Sequence, residues 1–302
     1  MAAERLIGVD WGGSSLRVFL FDEDGGVVER RSSHRGVATV EAGGFADVLG
    51  ELIADWASGG ARLVMCGMIG SRQGWSEAPY IACPTDLQAL AGGLLPLETL
   101  FGPALIAPGL SIDDHGRLDV MRGEETQFLG AMPHADWSGV IIHPGTHAKW
   151  AWFDGGRIIR FRTWMTGELF AVLREHSVLR LLMTEGPTDD AAFELGVRAS
   201  LHDPAITSLL FTARTEGLFG RIAPQVLPSY LSGLLIGAEV AGGLRMIDNS
   251  APLLLVGDAR LTALYRRALA LAGRADPGLI DGEEAVARGL WRLEQSRSGA
   301  TR

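Results

Sequence analysis

The sequence predicts an α/β protein made of two similar halves, and three observations predict it. Residues 6–31 read as a three-stranded meander whose first hairpin turns on Gly and Ser. After Trp137 the pattern restarts, and residues 140–161 give the same three strands around a Pro-Gly-Thr turn. Apolar residues at helical spacing fill the intervening segments, and 302 residues is the length of two ordinary domains. The expected domains are 1–136 and 137–302.

The first strand, Leu6 to Val9, delivers Asp10 into Trp11-Gly12-Gly13-Ser14-Ser15, and the second, Leu16 to Phe21, starts beside Arg17. Gly12 and Gly13 lack a Cβ and can reach positive φ, so their backbone N–H groups can approach a ligand. Such a nest, flanked by hydroxyls, suits phosphate oxygens. Asp10 beside it suits a divalent cation, held directly or through water. The same residues also make an ordinary Gly-rich hairpin with a structural aspartate, and this turn alone does not separate the two.

A turn at Asp22 to Gly26 leads to the third strand, Val27 to Arg31, and then to a helix from Phe45 to Trp56 with Leu49, Leu52, Ile53 and Trp56 on one face. The buried strand Leu63 to Cys66 runs into Gly67-Met68-Ile69-Gly70-Ser71-Arg72. Glycine-bearing loops at strand ends are where α/β sheets place ligand groups. Arg72, Trp75 and Tyr80 make this loop either a pocket wall or a surface connection with aromatics packed beneath it. Residues 84–118, with Pro84, Pro96, Pro103 and Pro108, read as short helices and loops around a strand at Ala104 to Ala107. Next, Met121-Arg122-Gly123-Glu124-Glu125 opens an amphipathic helix. Carboxylates in a first turn complement the helix dipole. Alternatively, Glu124 or Glu125 is a general base, with Arg122 beside an anionic substrate group.

In the second half the strand Val140 to His143 leads into Pro144-Gly145-Thr146, and His147 to Phe153 carries Lys149. Asp154-Gly155-Gly156 then turns the chain into Arg157 to Phe161. Each half thus opens with a phosphate-sized turn, which reads as a duplication. Helices follow at Leu169 to Leu182, Asp189 to Ala199, Ala205 to Ala213 and Leu231 to Met246. Small residues at 232, 233, 237 and 238 allow close helix approach. Pro252 precedes the strand Leu253 to Val256, Gly257-Asp258 turns it into a helix at Arg260 to Ala272, and Glu283 to Leu293 is the last helix. Residues 296–302 read as a polar tail.

Composition narrows the chemistry. A net charge of −9 argues against a nucleic-acid groove or an anionic membrane surface, which need basic patches, but leaves a small anionic ligand open. No uninterrupted apolar run reaches a membrane span, and the first residues leave no room for a signal peptide. Two cysteines, Cys66 and Cys83, make no disulfide framework, so a cytoplasmic protein is expected. Of the 27 lysines and arginines only Lys149 is a lysine, a position that suits a compact ammonium rather than a planar fork. There is no G-x-x-x-x-G-K-[ST], no protein-kinase set, no G-x-G-x-x-G after a strand and no G-x-S-x-G elbow. His143 and His147 are four apart, but Pro144 and Gly145 forbid the helix that would pair them on a metal.

What remains is a nucleotide held by two β-hairpin turns, with a late turn at Gly257 near the base. This resembles the sugar-kinase, heat-shock-ATPase and actin superfamily: Val9 to Arg17 looks like its first phosphate motif, Pro144 to Trp150 its second and Leu254 to Asp258 its adenosine motif. The resemblance implies two ribonuclease H-like (actin/hexokinase-type) α/β domains with an interdomain cleft. Further blocks resemble the 2-dehydro-3-deoxygalactonokinase family: Gly67 to Ser71 with Gly74-Trp75 and Ala78 to Tyr80, Val120 to Gln127, Phe161 to Thr163 with Met165 to Leu169, and Leu231 to Val240. The resemblance covers residues 7 to about 270. Arg72 stands where a small polar residue is expected, and Asp258-Ala259 replaces a Gly-Thr/Ser type of turn.

The family implies transfer of the ATP γ-phosphate to the 6-hydroxyl of 2-dehydro-3-deoxy-galactonate, with ATP and Mg²⁺ as cofactors and an aldolase acting on the product. On this reading Asp10 holds the metal, and Gly12, Gly13, Ser14, Ser15, Arg17, Gly145, Thr146, His147 and Lys149 cradle the phosphates. Gly257 and Asp258 meet the adenosine, and Lys149 neutralises the transferring group. Glu124 or Glu125 takes the hydroxyl proton, Arg72 and Arg122 read the carboxylate, and Met68, Gly70, Ser71, Trp75 and Thr166 line the sugar-acid site. A homodimer is a further expectation. The alternatives are a kinase for the gluconate epimer or a related keto acid, a non-catalytic ATP-binding protein of the same fold, and a nucleotide phosphohydrolase.

Overall fold

The computed structural model describes residues 5–58, 60–274 and 276–299. The chain forms two compact units, one of Met1–Ser138, Ala151–Phe161 and Ile280–Arg302, the other of Gly139–Trp150 and Arg162–Leu279. The first division lies two residues beyond the expected one at 136/137. Two segments expected in the second half, 151–161 and 280–302, belong to the first unit.

The first unit opens with β1 (Arg5–Trp11), β2 (Leu16–Phe21) and β3 (Val27–Ser33), followed by α1 (Phe45–Ile53) and β4 (Ala61–Cys66). After Arg5 every β1 residue is buried, the pattern of a central strand covered on both faces. It pairs antiparallel with β2, setting Asp10 opposite Arg17, and parallel with β4, setting Asp10 opposite Cys66. Ile7, Val9, Leu49, Ile53, Leu63 and Met65 form the core beneath this sheet.

Next come β5 (Tyr80–Ala82), α2 (Leu87–Gly92), β6 (Leu95–Thr99), β7 (Gly102–Ile106), β8 (Gly109–Asp114), β9 (Arg117–Met121) and α3 (Glu124–Ala131). The six-stranded sheet has the order β3-β2-β1-β4-β7-β6, and β5-β8-β9 make a separate three-stranded sheet. Residues 84–118 are therefore richer in strands than the sequence suggests. β7 is the strand expected at Ala104 to Ala107; Pro96 masked its neighbour β6, an edge strand, where a missing N–H is tolerated.

The remaining elements are β10 (Gly139–His143), β11 (Ala148–Asp154), β12 (Arg157–Trp164), α4 (Thr166–His176), α5 (Asp190–His202), α6 (Ile206–Leu218), α7 (Leu227–Leu244), β13 (Leu253–Gly257), α8 (Ala259–Leu271), β14 (Gly278–Asp281) and α9 (Gly282–Gly299). The second sheet runs β12-β11-β10-β13-β14, with β10 parallel to β13. A meander followed by a strand parallel to its first member is also the order of the first sheet, so the duplication read from the turns extends to the topology.

Two glycine contacts explain why α9 packs with the first unit. A Cβ on Gly130 of α3 would lie 1.8 Å from Ala285 O, and one on Gly289 of α9 1.9 Å from Thr126 O, so these helices cross at backbone contact. In the second unit Gly196 and Gly233 do the same for α5 and α7, with built Cβ atoms 2.3 Å from Tyr230 O and 2.1 Å from Phe193 O. This is the packing role expected of the small residues near 233. By length and composition α7 could cross a membrane, which the unbroken-run criterion overlooked. It is 72% buried inside the protein, as a core helix is.

Candidate active site

In the first unit the site is built around Asp10, at the end of β1 and 6% exposed. Arg17 Nη2 donates to Asp10 Oδ2 at 2.5 Å, and Cys66 Sγ–H donates to Oδ1 at 3.8 Å. Burial pushes the Asp10 carboxyl above its ordinary range, Arg17 pulls against this, and the nearby Glu124 charge adds to the rise. Arg17 also reaches Glu283 Oε1 at 3.8 Å, a contact from α9 that no local pattern points to.

The Gly12–Ser15 turn is closed by Gly12 N donating to Ser15 O at 2.9 Å and is pinned from below by Val37 N and Ala38 N, which donate to Gly12 O and Gly13 O. Contrary to expectation, neither Gly12 nor Gly13 has positive φ. Their use is steric instead. A Cβ on Gly13 would meet nothing within 4 Å, so it would project into open space above the turn, where a phosphate would approach. Ser14 is exposed and Ser15 half-buried.

Two positive-φ glycines bring two further loops close to Asp10. Gly67, at φ +91°, has a Cβ position 2.7 Å from Trp11 O and 3.4 Å from Asp10 Oδ1. Gly123, at φ +107°, would place its Cβ 3.1 Å from Gly67 Cα, which sets the start of α3 against the same loop. The two acidic residues that follow have different surroundings. Glu125 is 1% exposed; its Oε2 accepts from Gly123 N at 2.6 Å and its Oε1 from Thr126 Oγ1 at 3.0 Å. Burial, then the Glu124 charge, push its carboxyl up to about 7. Glu124 is half-buried, and its Oε2 accepts from Arg122 N at 3.2 Å.

The raised carboxyl of Glu125 has a consequence for stability. Between the unfolded value near 4.5 and the folded value near 7 the native state holds a proton that the unfolded chain has lost. Stability therefore falls as pH rises through that window and levels off above it. Glu125→Gln, whose amide can still accept from Gly123 N and donate to the Thr126 hydroxyl, is expected to flatten this slope. Urea midpoints from pH 4 to pH 8 measure it; parallel curves for the two proteins would refute the assignment.

Arg122 is held rather than mobile. Its Nη2 donates to Ala78 O at 2.8 Å and its guanidinium lies 4.4 Å from the centre of the Tyr80 ring. Gly70 leaves it room, since a Cβ there would sit 2.9 Å from Nη1. Nε and Nη1 are buried with no hydrogen-bond partner, as is Ser71 Oγ on the same loop. Donors left in this state cost stability unless a ligand meets them.

The other loop candidates separate from these. Arg72 is 85% exposed and pairs with Glu77 at 3.0 Å, so it points to solvent and does not join Arg122. Trp75 stacks on Phe45 with ring centres 6.2 Å apart, and Met68 packs half-buried on the same core. Arg72, expected in the substrate site, is therefore a surface ion pair, while Trp75 is half-buried on the core with its backbone N–H donating to Ile69 O.

The second unit holds a pocket of about 400 Å³, an ordinary size for a small-molecule site. Gly145, Thr166, Gly167, Thr188, Ser232 and Asp258 supply backbone and polar groups to its wall, and Phe170, Leu235 and Ile236 supply apolar surface. The Pro144-Gly145-Thr146 turn is clamped to α4: a Cβ on Gly167 would lie 2.5 Å from Gly145 O, Glu168 N donates to Thr146 O at 3.0 Å, and His147 Nε2 bonds the Glu168 carboxylate. A Cβ on Gly257, at φ +144°, would lie 3.7 Å from Pro144 O. Asp258 caps α8, accepting from Arg260 N at 2.9 Å and Leu261 N at 3.2 Å, which explains an aspartate after that glycine. Thr188 and Ser232 carry no local signal that separates them from surface or core polar residues.

Lys149 departs from expectation. It is 3% exposed and its Nζ donates to His147 O at 2.8 Å, because β11 is buried on both faces. Its charge is near enough to Glu239, on α7, to pull that carboxyl down. Glu239 was not foreseen, although it is the single charged residue in 227–244. Burial pushes its carboxyl up to about 7, against hydrogen bonds from Thr166, Tyr265 and Trp150 and the Lys149 charge. Thr166, expected on the sugar acid, gives its hydroxyl to Glu239.

No group of three or more His, Cys, Asp or Glu forms a metal cage among the described residues. Asp10 is a buried carboxylate next to the Gly12–Ser15 turn, with Glu124 near enough to raise it. That donor set suits Mg²⁺, which is commonly held by one or two carboxylates with phosphates and water, rather than zinc or calcium.

The family described as 2-keto-3-deoxy-galactonokinase matches residues 10–293. A protein of Rhizobium meliloti (strain 1021), described as a probable 2-dehydro-3-deoxygalactonokinase, is 39% identical over 297 residues, 94% of this chain and 97% of its own. The 2-dehydro-3-deoxygalactonokinase of Escherichia coli (strain K12) is 36% identical over 287 residues, 95% of this chain and 96% of its own. A crystal structure from Sinorhizobium meliloti described by the same enzyme name superposes with a TM-score of 0.90 at 37% identity, covering 96% of this chain and 98% of the other.

Proposed function

The chain belongs to the 2-keto-3-deoxy-galactonokinase family and is a carbohydrate kinase, and from that premise we propose that it transfers the γ-phosphoryl group of ATP to the 6-hydroxyl of 2-dehydro-3-deoxy-D-galactonate. The observation that carries the substrate half is Arg122, a buried guanidinium with Nε and Nη1 awaiting partners, on the loop system that also presents Asp10 and Glu124. An α-keto acid carboxylate supplies the acceptors these donors lack. Ser71 Oγ, also buried without a partner, is left for a sugar hydroxyl.

Phosphoryl transfer asks for positioning and charge neutralisation more than covalent help. The second unit's pocket takes the nucleotide, with the Gly145–Thr146 turn toward its phosphates and the Gly257–Asp258 end toward the adenosine. In the first unit, Gly12 to Ser15 present N–H and hydroxyl donors of the kind that phosphate oxygens accept from, and Arg17 fixes the Asp10 carboxylate. Asp10 is the residue that would hold Mg²⁺, which would supply neutralising charge to the phosphates. Glu124 accepts the 6-hydroxyl proton as that oxygen bonds the γ-phosphorus and the bond to the ADP oxygen breaks.

Two finer points belong to the same reading. A cytoplasmic location follows from the use of ATP. A homodimer is supported by Phe211, Leu218 and Phe219, large apolar side chains left exposed on and just after α6.

The test is a panel of sugar acids scored for ATP-dependent phosphorylation, with ADP release followed in the presence and absence of acid. The galacto keto acid is expected to give the highest kcat/KM. Preference for the gluco epimer would remove the substrate assignment, and full ADP release without any acid would make the protein a phosphohydrolase.

A further inference from the structure

We propose that Glu239 is a positioning residue for the nucleotide, holding two walls of the second unit's pocket in register through Thr166 and Tyr265. The inference rests on the nucleotide reading of that pocket. Glu239 is 2% exposed in the middle of the otherwise uncharged α7. Trp150 Nε1 donates to its Oε1 at 2.8 Å, Tyr265 OH donates to its Oε2 at 2.7 Å, and Thr166 Oγ1 donates to the same oxygen. The three donors come from β11, the first residue of α4 and the middle of α8. Thr166 and Tyr265 both line the pocket, and Thr166 precedes the Gly167 that touches the Gly145 turn.

A buried carboxylate is a poor way to gain stability. An apolar side chain of similar size commonly does as well, so its presence calls for a reason beyond packing. The geometry supplies one. Each hydroxyl hydrogen is committed to Glu239, so the Thr166 and Tyr265 oxygens have fixed orientations and can offer only lone pairs to the pocket. The α4 start, which carries the phosphate-turn contacts, and α8, which Asp258 caps, are tied to one atom. Losing that tie lets the two walls move independently. It weakens nucleotide binding without touching the sugar acid.

Glu239→Gln tests this. The amide is nearly isosteric: its oxygen can accept from Trp150 and its NH₂ can donate to both hydroxyls, reversing their polarity. The KM for ATP is expected to rise about tenfold, the scale of one charged hydrogen bond, while kcat and the KM for the sugar acid stay within about twofold. Tyr265→Phe, which deletes one donor from a side chain of the same shape, should raise the ATP KM by a smaller factor. The double variant should be no worse than Glu239→Gln alone, because both act through one network. A lowered melting temperature with an unchanged ATP KM in Glu239→Gln would overturn the proposal, leaving Glu239 a structural residue. If that variant does not fold, an unchanged ATP KM in Tyr265→Phe overturns it equally. Failure of the wild-type protein to bind ATP in calorimetry would instead remove the nucleotide reading of the pocket, and the inference with it.

Discussion

Glu124→Gln is expected to lower kcat by about 10²- to 10⁴-fold, the usual cost of losing a general base, with the KM for ATP and the melting temperature little changed. The sequence offers two adjacent carboxylates for this role, and burial separates them. Glu125 Oε2 is taken by Gly123 N and Oε1 by Thr126 Oγ1, and the residue is 1% exposed, so a substrate hydroxyl has no approach to it. Glu124 is half-buried, lies close enough to raise the Asp10 carboxyl and starts the helix that Gly123 sets against the Asp10 loop. Glutamine keeps its shape and its bond from Arg122 N but cannot take a proton. A coupled ADP-release assay measures the loss. Glu125→Gln in the same assay should stay within a few-fold of wild type; the reverse ranking would move the base to Glu125, and full turnover in both would end the assignment.

Arg122→Ala is expected to lower kcat/KM for the sugar acid by about 10²-fold, from loss of two charged hydrogen bonds, with nucleotide affinity unaffected. The Arg122→Lys variant should recover little. Its ammonium cannot keep the Ala78 O contact and the Tyr80 ring contact while presenting two further parallel donors. A substrate analogue with the carboxylate replaced by a primary alcohol separates binding from folding. Wild type and Arg122→Ala should handle it about equally. An equal loss on that analogue would mean that Arg122 holds the loop rather than the substrate.

Some of this was legible without coordinates. Both meanders follow from short apolar runs interrupted by Gly, Ser, Pro and Asp at the turns, and both signals are local. Register followed as well: two residues of β1 and β2 on either side of a four-residue turn must pair as Asp10 and Arg17 do. Residues 84–118 were harder, because Pro96, which reads as a breaker, lies on an edge strand whose place only the assembled sheet defines. Asp258 was a departure from pattern in the sequence and is a helix cap in the structure.

The sequence by itself determined the repeated α/β plan, the two glycine turns, the carboxylate beside the first of them, and the family to which the chain belongs. Only the tertiary structure decided which side chains are available for chemistry. It buried Glu125 and left Glu124 half-buried, enclosed two nitrogens of Arg122 while Arg72 went to solvent, placed Lys149 inside its strand and gave Glu239 its three donors. The reason is physical: strand period and turn type depend on neighbours along the chain, whereas accessibility, proton affinity and unmet hydrogen-bonding capacity depend on which distant segment covers the residue.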